Sequence, residues 1–335
     1  MVYILLFVTT LSWVLTGIAR HYALTHNVLD VPNDRSAHTV ATPRGGGVAF
    51  VFSVLITVPC LMVFGFLTSR GSFALVSAGA FIATLGFLDD HGHVAISQRL
   101  MGHIVAAILA LYWMHGFPSL VFYSWVLPAG LLANGFGFLY LIWSINFYNF
   151  MDGIDGIAGA EALSVCLGAA LLYWFYGDPG LMILPLVLAA SVLGFLFWNW
   201  HPARIFMGDA GSGFLGFILG VLSIQAAHMH PQFFWSWLIL LGVFIVDATL
   251  TLLSRLCLLQ KIYTPHATHA YQHAARFFGS HQYVTIAVIM INLMWLWPFA
   301  FLVGFGRLNG LLGLCIAYLP LVILAVFFHA GRTTA

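Results

Sequence analysis

The chain has 335 residues, of which 62% are hydrophobic and only 6% are charged, against about 25% in an ordinary soluble domain. So few charges cannot cover the surface of a soluble fold of this size, and a net charge of +1 supplies no basic field for nucleic acid. The cysteines Cys60, Cys166, Cys257 and Cys315 each stand alone in an apolar run. That pattern fits packing and excludes a disulfide framework or zinc-site spacing.

Apolar stretches of about 17–23 residues, long enough for a ~30 Å hydrocarbon core, occur in sequence at 2–18, 46–67, 72–88, 100–117, 127–148, 160–176, 181–198, 211–228, 233–254, 283–303 and 309–329. The first has no basic flank or cleavage site and reads as a retained span. Segment 118–127 reads as a re-entrant or interfacial piece. The prediction is an all-α, polytopic membrane helix bundle of about eleven spans, one domain over 1–335 with its motifs in 30–282. Alternating the spans puts 19–45, 89–99, 149–159, 199–210, 255–282 and the C-terminus on one side. Every Lys and Arg except Arg70 and Arg307 falls there. The positive-inside rule then makes the N-terminus periplasmic and the C-terminus cytoplasmic. Asp30, Asp34, Asp89, Asp90, Asp152, Asp155, Glu161 and Asp209 gather on or beside the same face, which predicts a shared site there.

Candidate chemistry follows the chain. The loop 30–47 carries Asp30, Arg35, His38 and Arg44 before the turn Gly45-Gly46-Gly47. Asp89-Asp90 closes the third span; adjacent carboxylates repel and call for a cation or solvent, an ordinary acidic helix exit being the alternative. Asn146, Asn149 and Asp152 recur every three residues, one polar stripe if helical. With Asp155 and the intervening Gly153 and Gly156 they offer oxygens suited to a hard cation or a phosphate–metal pair. The bland alternative is a solvated helix end. Phe206-Met-Gly208-Asp209-Ala-Gly211-Ser212-Gly213 is either a Gly-rich turn or an anion site at a helix start, with an acid to hold a metal. Asp247, inside a span, is functional by default, with helix anchoring weighed against catalysis. The last loop holds His266, His269, His273, Arg276 and His281, which read as phosphate donors, a metal pair or an interfacial cluster.

Taken together, Asp30-x-Pro32-Asn33-x-Arg35-x-x-His38, Leu88-Asp89-Asp90, Asn146-x-x-Asn149-x-x-Asp152-Gly153-x-Asp155-Gly156 and Phe206-Met-Gly208-Asp209-x-Gly211-Ser212 resemble the polyprenyl-phosphate N-acetylhexosamine-1-phosphate transferases, glycosyltransferase family 4. The arrangement looks like that of bacterial members that start O-antigen and related glycans. The resemblance implies transfer of a sugar 1-phosphate from a UDP-N-acetylamino sugar to undecaprenyl phosphate, with UMP released. It implies Mg²⁺, or Mn²⁺ in its place, on Asn149 and Asp209. Gly153 and Phe206 would sandwich uracil and Asp155 would read its edge. Asp152, His269, His273 and Arg276 would face diphosphate and sugar, with Asp89 and Asp90 at the lipid-phosphate side. Ala267 departs from the basic residue that many relatives carry there. Expected partners are the UDP-sugar, the lipid acceptor and the bilayer, without nucleic acid; a homodimer is compatible. The expected location is the bacterial cytoplasmic membrane, with the site facing the cytoplasm.

A transporter with an inner-face site is the rival reading. Transporters place polar groups near the midplane and in repeated halves, and here the acids collect at one face without a repeat. The D-G-x-x-A-R pattern of CDP-alcohol phosphotransferases is absent.

Overall fold

The structure is a computed structural model that describes residues 1–32, 40–67, 69–92, 94–123, 125–261 and 266–332. Every apolar stretch read from the sequence is helical. The helices are α1 (Val2–Thr25), α2 (Gly47–Val63), α3 (Gly71–His91), α4 (Ile96–Trp113), α5 (Leu131–Phe150), α6 (Ile157–Tyr176), α7 (Pro179–Asn199), α8 (Asp209–Met229), α9 (Pro231–Leu240), α10 (Gly242–Cys257), α11 (Ala270–Phe278), α12 (His281–Gly304) and α13 (Gly310–Phe327). Among the described residues, nine are long and apolar enough to cross a bilayer, and α9 with α10 makes a tenth. The 17 residues of α2 extend about 26 Å at 1.5 Å each, somewhat less than the core thickness. The all-α membrane bundle is thus the fold.

One expectation needs correcting in detail. The stretch 233–254 is not one straight span: α9 and α10 meet at 71°. Gly242, which opens α10, has no Cβ, and one placed there would lie 3.1 Å from the Tyr318 ring of α13. A neighbouring helix therefore crosses at the bend. In segment 118–127, read as a re-entrant or interfacial piece, β3 (Leu120–Phe122) pairs antiparallel with β4 (Trp125–Leu127). A second short pair joins β1 (Leu29–Asp30) to β2 (Thr42–Pro43).

The centre of the bundle is α8, with 94% of its apolar window buried, whereas the outer helices α1 and α13 bury 17% and 22%. Lipid tails are as apolar as leucine, so close backbone approach at small residues drives helix packing in a membrane. The sequence of α8 provides this with Gly211, Gly216 and Gly220. A Cβ on Gly216 would collide with the Ser144 carbonyl of α5, and one on Gly47 would lie 2.5 Å from the Gly211 Cα. At one end of the bundle, the segment entering α2 is stitched to the one entering α8. Gly46 and Gly47 donate their N–H groups to Phe206 and Met207 carbonyls at 2.9 and 2.8 Å, and Phe206 N–H donates to Pro43 O at 2.8 Å.

Candidate active site

The site is assembled where α5 and α3 end and α8 begins. Asn146 and Asn149 ride the last turns of α5, which stops at Phe150; Asp152 and Asp155 follow in the connection to α6. The stripe predicted for a continuous helix therefore passes onto a loop. Gly156, at φ +74°, makes the turn into α6, a backbone state that favours glycine. Asn199 fixes this loop by accepting Gly156 N–H at 3.1 Å and donating to Ile205 O at 3.0 Å.

Asn149 reaches across to α8, where its Nδ2 donates to Asp209 Oδ1 at 2.8 Å and to Ser212 Oγ at 2.9 Å. Residues sixty positions apart thus share one oxygen-rich point. Arg99, from the first turn of α4, spans two carboxylates, 2.7 Å from Asp89 and 3.4 Å from Asp209. Asp89 also accepts Val94 N–H at 3.0 Å. Asp90 plays a different part. Its carboxylate accepts Asp209 N–H at 2.9 Å and Ala210 N–H at 3.2 Å, and its side chain is 1% exposed. An acid accepting the unpaired N–H groups of a first turn stabilises that helix start. Asp90, expected with Asp89 at the lipid-phosphate side, locks the backbone at Asp209 and Ala210 in place. Arg44 completes the lock, 3.4 Å from the Asp90 carboxylate and donating to the Asp89 and Asp90 carbonyls at 3.3 and 2.9 Å.

Arg44, Asp90, Asn149 and Asp209 border a cavity of about 230 Å³ that is also lined by Asp30, Asp152, Gly153, Asp155, Asn199, Phe206, Gln272 and His281, among others, whereas Asp89 and Arg99 line a small neighbouring one with Asn149 and Asp209. Gly153 lies against α11: a Cβ there would overlap the Tyr271 hydroxyl, which donates to Phe150 O at 3.1 Å. Asp155, 7% exposed, faces two imidazoles. His201 Nδ1 lies 2.7 Å from Oδ2 and His281 Nδ1 lies 3.3 Å from Oδ1, while Ala203 N–H donates to Oδ2 at 3.2 Å. Burial pushes the Asp155 pKa up, but the hydrogen bonds from His281, His201 and Ala203 outweigh it and hold the carboxyl below its ordinary value.

The histidine loop sits differently from expectation. His269, His273 and Arg276 do not line this cavity; α11 contributes Gln272 instead. His269 turns its Nδ1 to Asp247 at 3.2 Å, and Arg276 donates to Ala267 O at 2.9 Å and contacts His273 Nδ1 at 3.1 Å. His269 and His273 thus have separate partners and share no metal point. Of the two readings of Asp247, anchoring is the one formed: its oxygens accept Ala270 N–H at 3.0 Å, Tyr271 N–H at 2.9 Å and the Thr251 hydroxyl at 3.1 Å. Asp247→Ala should lower the melting temperature by the equivalent of about 0.5–2 kcal/mol, the worth of a helix cap, with Asp247→Asn in between. Unchanged melting in both would remove the anchoring role. Asn33, Arg35 and His38 lie outside the described residues.

The oxygen set suits a hard divalent cation. Asp209, Asn149 and Ser212 meet within 2.9 Å, and half a turn of the Asn149 amide exposes Oδ1, since the two amide orientations are interchangeable assignments. Nearby, burial and the charges of Asp209 and Asp90 raise the Asp152 pKa to about 7, a local excess of negative charge that a cation would relieve.

Arg99, His201 and Gln272 were not singled out from the sequence. Arg99 had a legible signal, because it stands only ten positions after Asp89, at the start of the next helix. Nothing in the sequence marks His201 or Gln272, whose partners are remote in the chain.

Comparison with known proteins identifies the family. The model of glycosyl transferase family 4 matches residues 72–227, which includes α3, α5, α8 and their site residues. The chain is 29% identical over 285 residues to the "Probable undecaprenyl-phosphate N-acetylglucosaminyl 1-phosphate transferase" of Bacillus subtilis, covering 84% of this chain and 79% of that one. It is 28% identical over 331 residues to the decaprenyl-phosphate N-acetylglucosaminephosphotransferase of Mycobacterium tuberculosis, covering 87% and 78%. With the phospho-N-acetylmuramoyl-pentapeptide-transferase of a Synechococcus it shares 31% over 261 residues, 70% of each chain. With the motifs converging at one end of a membrane bundle, these likenesses make the chain a member of glycosyl transferase family 4, within the polyprenyl-phosphate N-acetylhexosamine-1-phosphate transferase superfamily.

Proposed function

We propose that the protein transfers an N-acetylamino-sugar 1-phosphate from a UDP-sugar to undecaprenyl phosphate, giving undecaprenyl-diphospho-sugar and UMP. The observation that carries this reading is the meeting of Asn149, Asp152, Asp155, Phe206 and Asp209 around one cavity, although they come from separate segments. The names of the relatives specify N-acetylglucosaminyl and muramoyl-pentapeptide donors. They support an N-acetylhexosamine donor, with N-acetylglucosamine first; a 6-deoxy relative such as FucNAc or QuiNAc belongs in the same panel. The product would open a cell-surface polysaccharide, O-antigen or another glycan.

An oxygen of the lipid phosphate attacks the β-phosphorus; that bond forms as the bond from β-phosphorus to the bridging oxygen breaks, and UMP leaves. With a second pKa near ~6 the acceptor is largely dianionic at neutral pH, so a general base is not required, and Asp89, paired with Arg99, serves as an orienting charge. Phosphoryl transfer depends on in-line positioning and neutralisation of charge. Mg²⁺, or Mn²⁺, held by Asp209 and Asn149 would supply that neutralisation on the diphosphate. Arg99 and Arg44 hold the surrounding carboxylates in place. Phe206 and Gly153, both lining the cavity, would flank uracil, and Asp155 would accept from its edge. The positive-inside distribution supports a cytoplasmic position for this end of the bundle, where a soluble nucleotide is present.

Purified protein with undecaprenyl phosphate, Mg²⁺ and a panel of UDP-sugars should release UMP with a lipid-linked product. Release of UDP would mean direct glycosyl transfer and end the proposal. Asp155→Asn should weaken UMP binding about tenfold to a hundredfold, the value of hydrogen bonds to a charged group. Calorimetric titration measures this, and unchanged affinity would remove Asp155 from the nucleobase slot.

A further inference from the structure

We infer that Asp155, His201 and His281 form a second divalent-metal site, which selects zinc-class ions over magnesium. One ligand atom from each of these residues lies within 4.8 Å of the others. They arise from three separate segments: the connection after α5, the connection before α8, and the first residue of α12. Two ligands on one tetrahedral Zn²⁺, with bonds of about 2.0–2.2 Å, lie about 3.3 Å apart. The spacings present are 2.7 Å from Asp155 Oδ2 to His201 Nδ1 and 3.3 Å from Asp155 Oδ1 to His281 Nδ1, one imidazole on each carboxylate oxygen, so the three ligands must draw together around the ion from separations of up to 4.8 Å.

The donors decide the ion. Two imidazole nitrogens and one carboxylate suit Zn²⁺, Co²⁺ or Ni²⁺, whereas Mg²⁺ prefers oxygen alone. The Asn149–Asp209 point offers only oxygens, so the two cation positions differ in chemistry. On metal binding each imidazole carries its proton on Nε2 and presents Nδ1, and the hydrogen bonds to Asp155 give way to coordination. Supports for the ligands are already built: Ala203 N–H holds Asp155 Oδ2 at 3.2 Å, and Thr285 Oγ1 holds the Asp155 carbonyl at 2.9 Å. An entry path exists, because the His201 side chain is 38% exposed and the three residues border a cavity of about 280 Å³ beside the nucleotide slot. Water from that cavity supplies the fourth ligand. Where Asp155 also receives the uracil edge, a point that rests on the proposed function, the ion and the nucleotide exclude each other.

The test is titration of metal-stripped, full-length protein in detergent with Co²⁺, in excess Mg²⁺, read by visible absorption. One Co²⁺ per chain should bind with a tetrahedral spectrum that Zn²⁺ displaces. His201→Asn and His281→Gln should each weaken binding at least about tenfold, and Asp209→Asn should leave it intact. The absence of a saturable signal, or undiminished binding in both histidine variants, would overturn the site. UMP should suppress the Co²⁺ signal. Titrating UMP into the metal-free protein separates the two readings: failure to bind there counts against the nucleotide slot, while the Co²⁺ series still decides the metal site.

Discussion

Asp209→Asn is expected to reduce turnover at least about a thousandfold, the scale on which loss of a principal charge-stabilising group acts in phosphoryl transfer. The substitution is close to isosteric and retains the backbone N–H that donates to Asp90 at 2.9 Å. It removes the carboxylate charge that stands 2.8 Å from Asn149 and 3.4 Å from Arg99. The start of α8 should remain folded, so melting should move little while UMP release collapses. Turnover near the unsubstituted level at saturating Mg²⁺ would mean that Asp209 holds no catalytic cation.

Gly86→Ala should lower turnover about a hundredfold although Gly86 borders the site only through backbone. In an isolated helix, alanine is favoured over glycine by about 1 kcal/mol. Here the new Cβ would lie 2.5 Å from the Asp209 carbonyl carbon and from Ala210 N, against backbone that cannot swing aside as a flexible side chain would. Overpacking of this kind costs about 1–3 kcal/mol, so the clash outweighs the propensity. Either α3 or the first turn of α8 must move, and a displacement near 1 Å is enough for a loss of about a hundredfold in rate. The pairing of kinetics with metal titration decides the matter. If turnover and Mg²⁺ dependence both stay normal, the contact between α3 and α8 does not set the position of Asp209.

The two substitutions differ in how visible their sites are in the chain. Asp209 stands in a local motif, with small residues around an acid at a span boundary, and its neighbours in sequence reveal it. Gly86 is an unremarkable glycine in an apolar run, and its importance comes wholly from the backbone that α8 brings against it. Asp89 and Asp90 show the same divide within one dipeptide. They are chemically alike and adjacent, and the sequence pairs them. The helix geometry sends Asp89 toward Arg99 and buries Asp90 under the N-terminus of α8. The histidines of the last loop were legible as a cluster, yet α11 turns His269 to Asp247 and presents Gln272 to the cavity.

Composition and hydropathy by themselves determined that the chain is a membrane bundle and where its helices run, because burial of about 20 apolar residues per crossing is a local demand. Motif spacing likewise marked Asn149, Asp152, Asp155 and Asp209, which lie close to span ends that any topology places at one face. Only the tertiary structure decided which of these acids touch, which residues position them, and that His201 and His281 close on Asp155. Such contacts depend on the angle and depth at which helices distant in sequence pack. Small residues at the crossings set those quantities, and their partners cannot be identified from one strand of sequence.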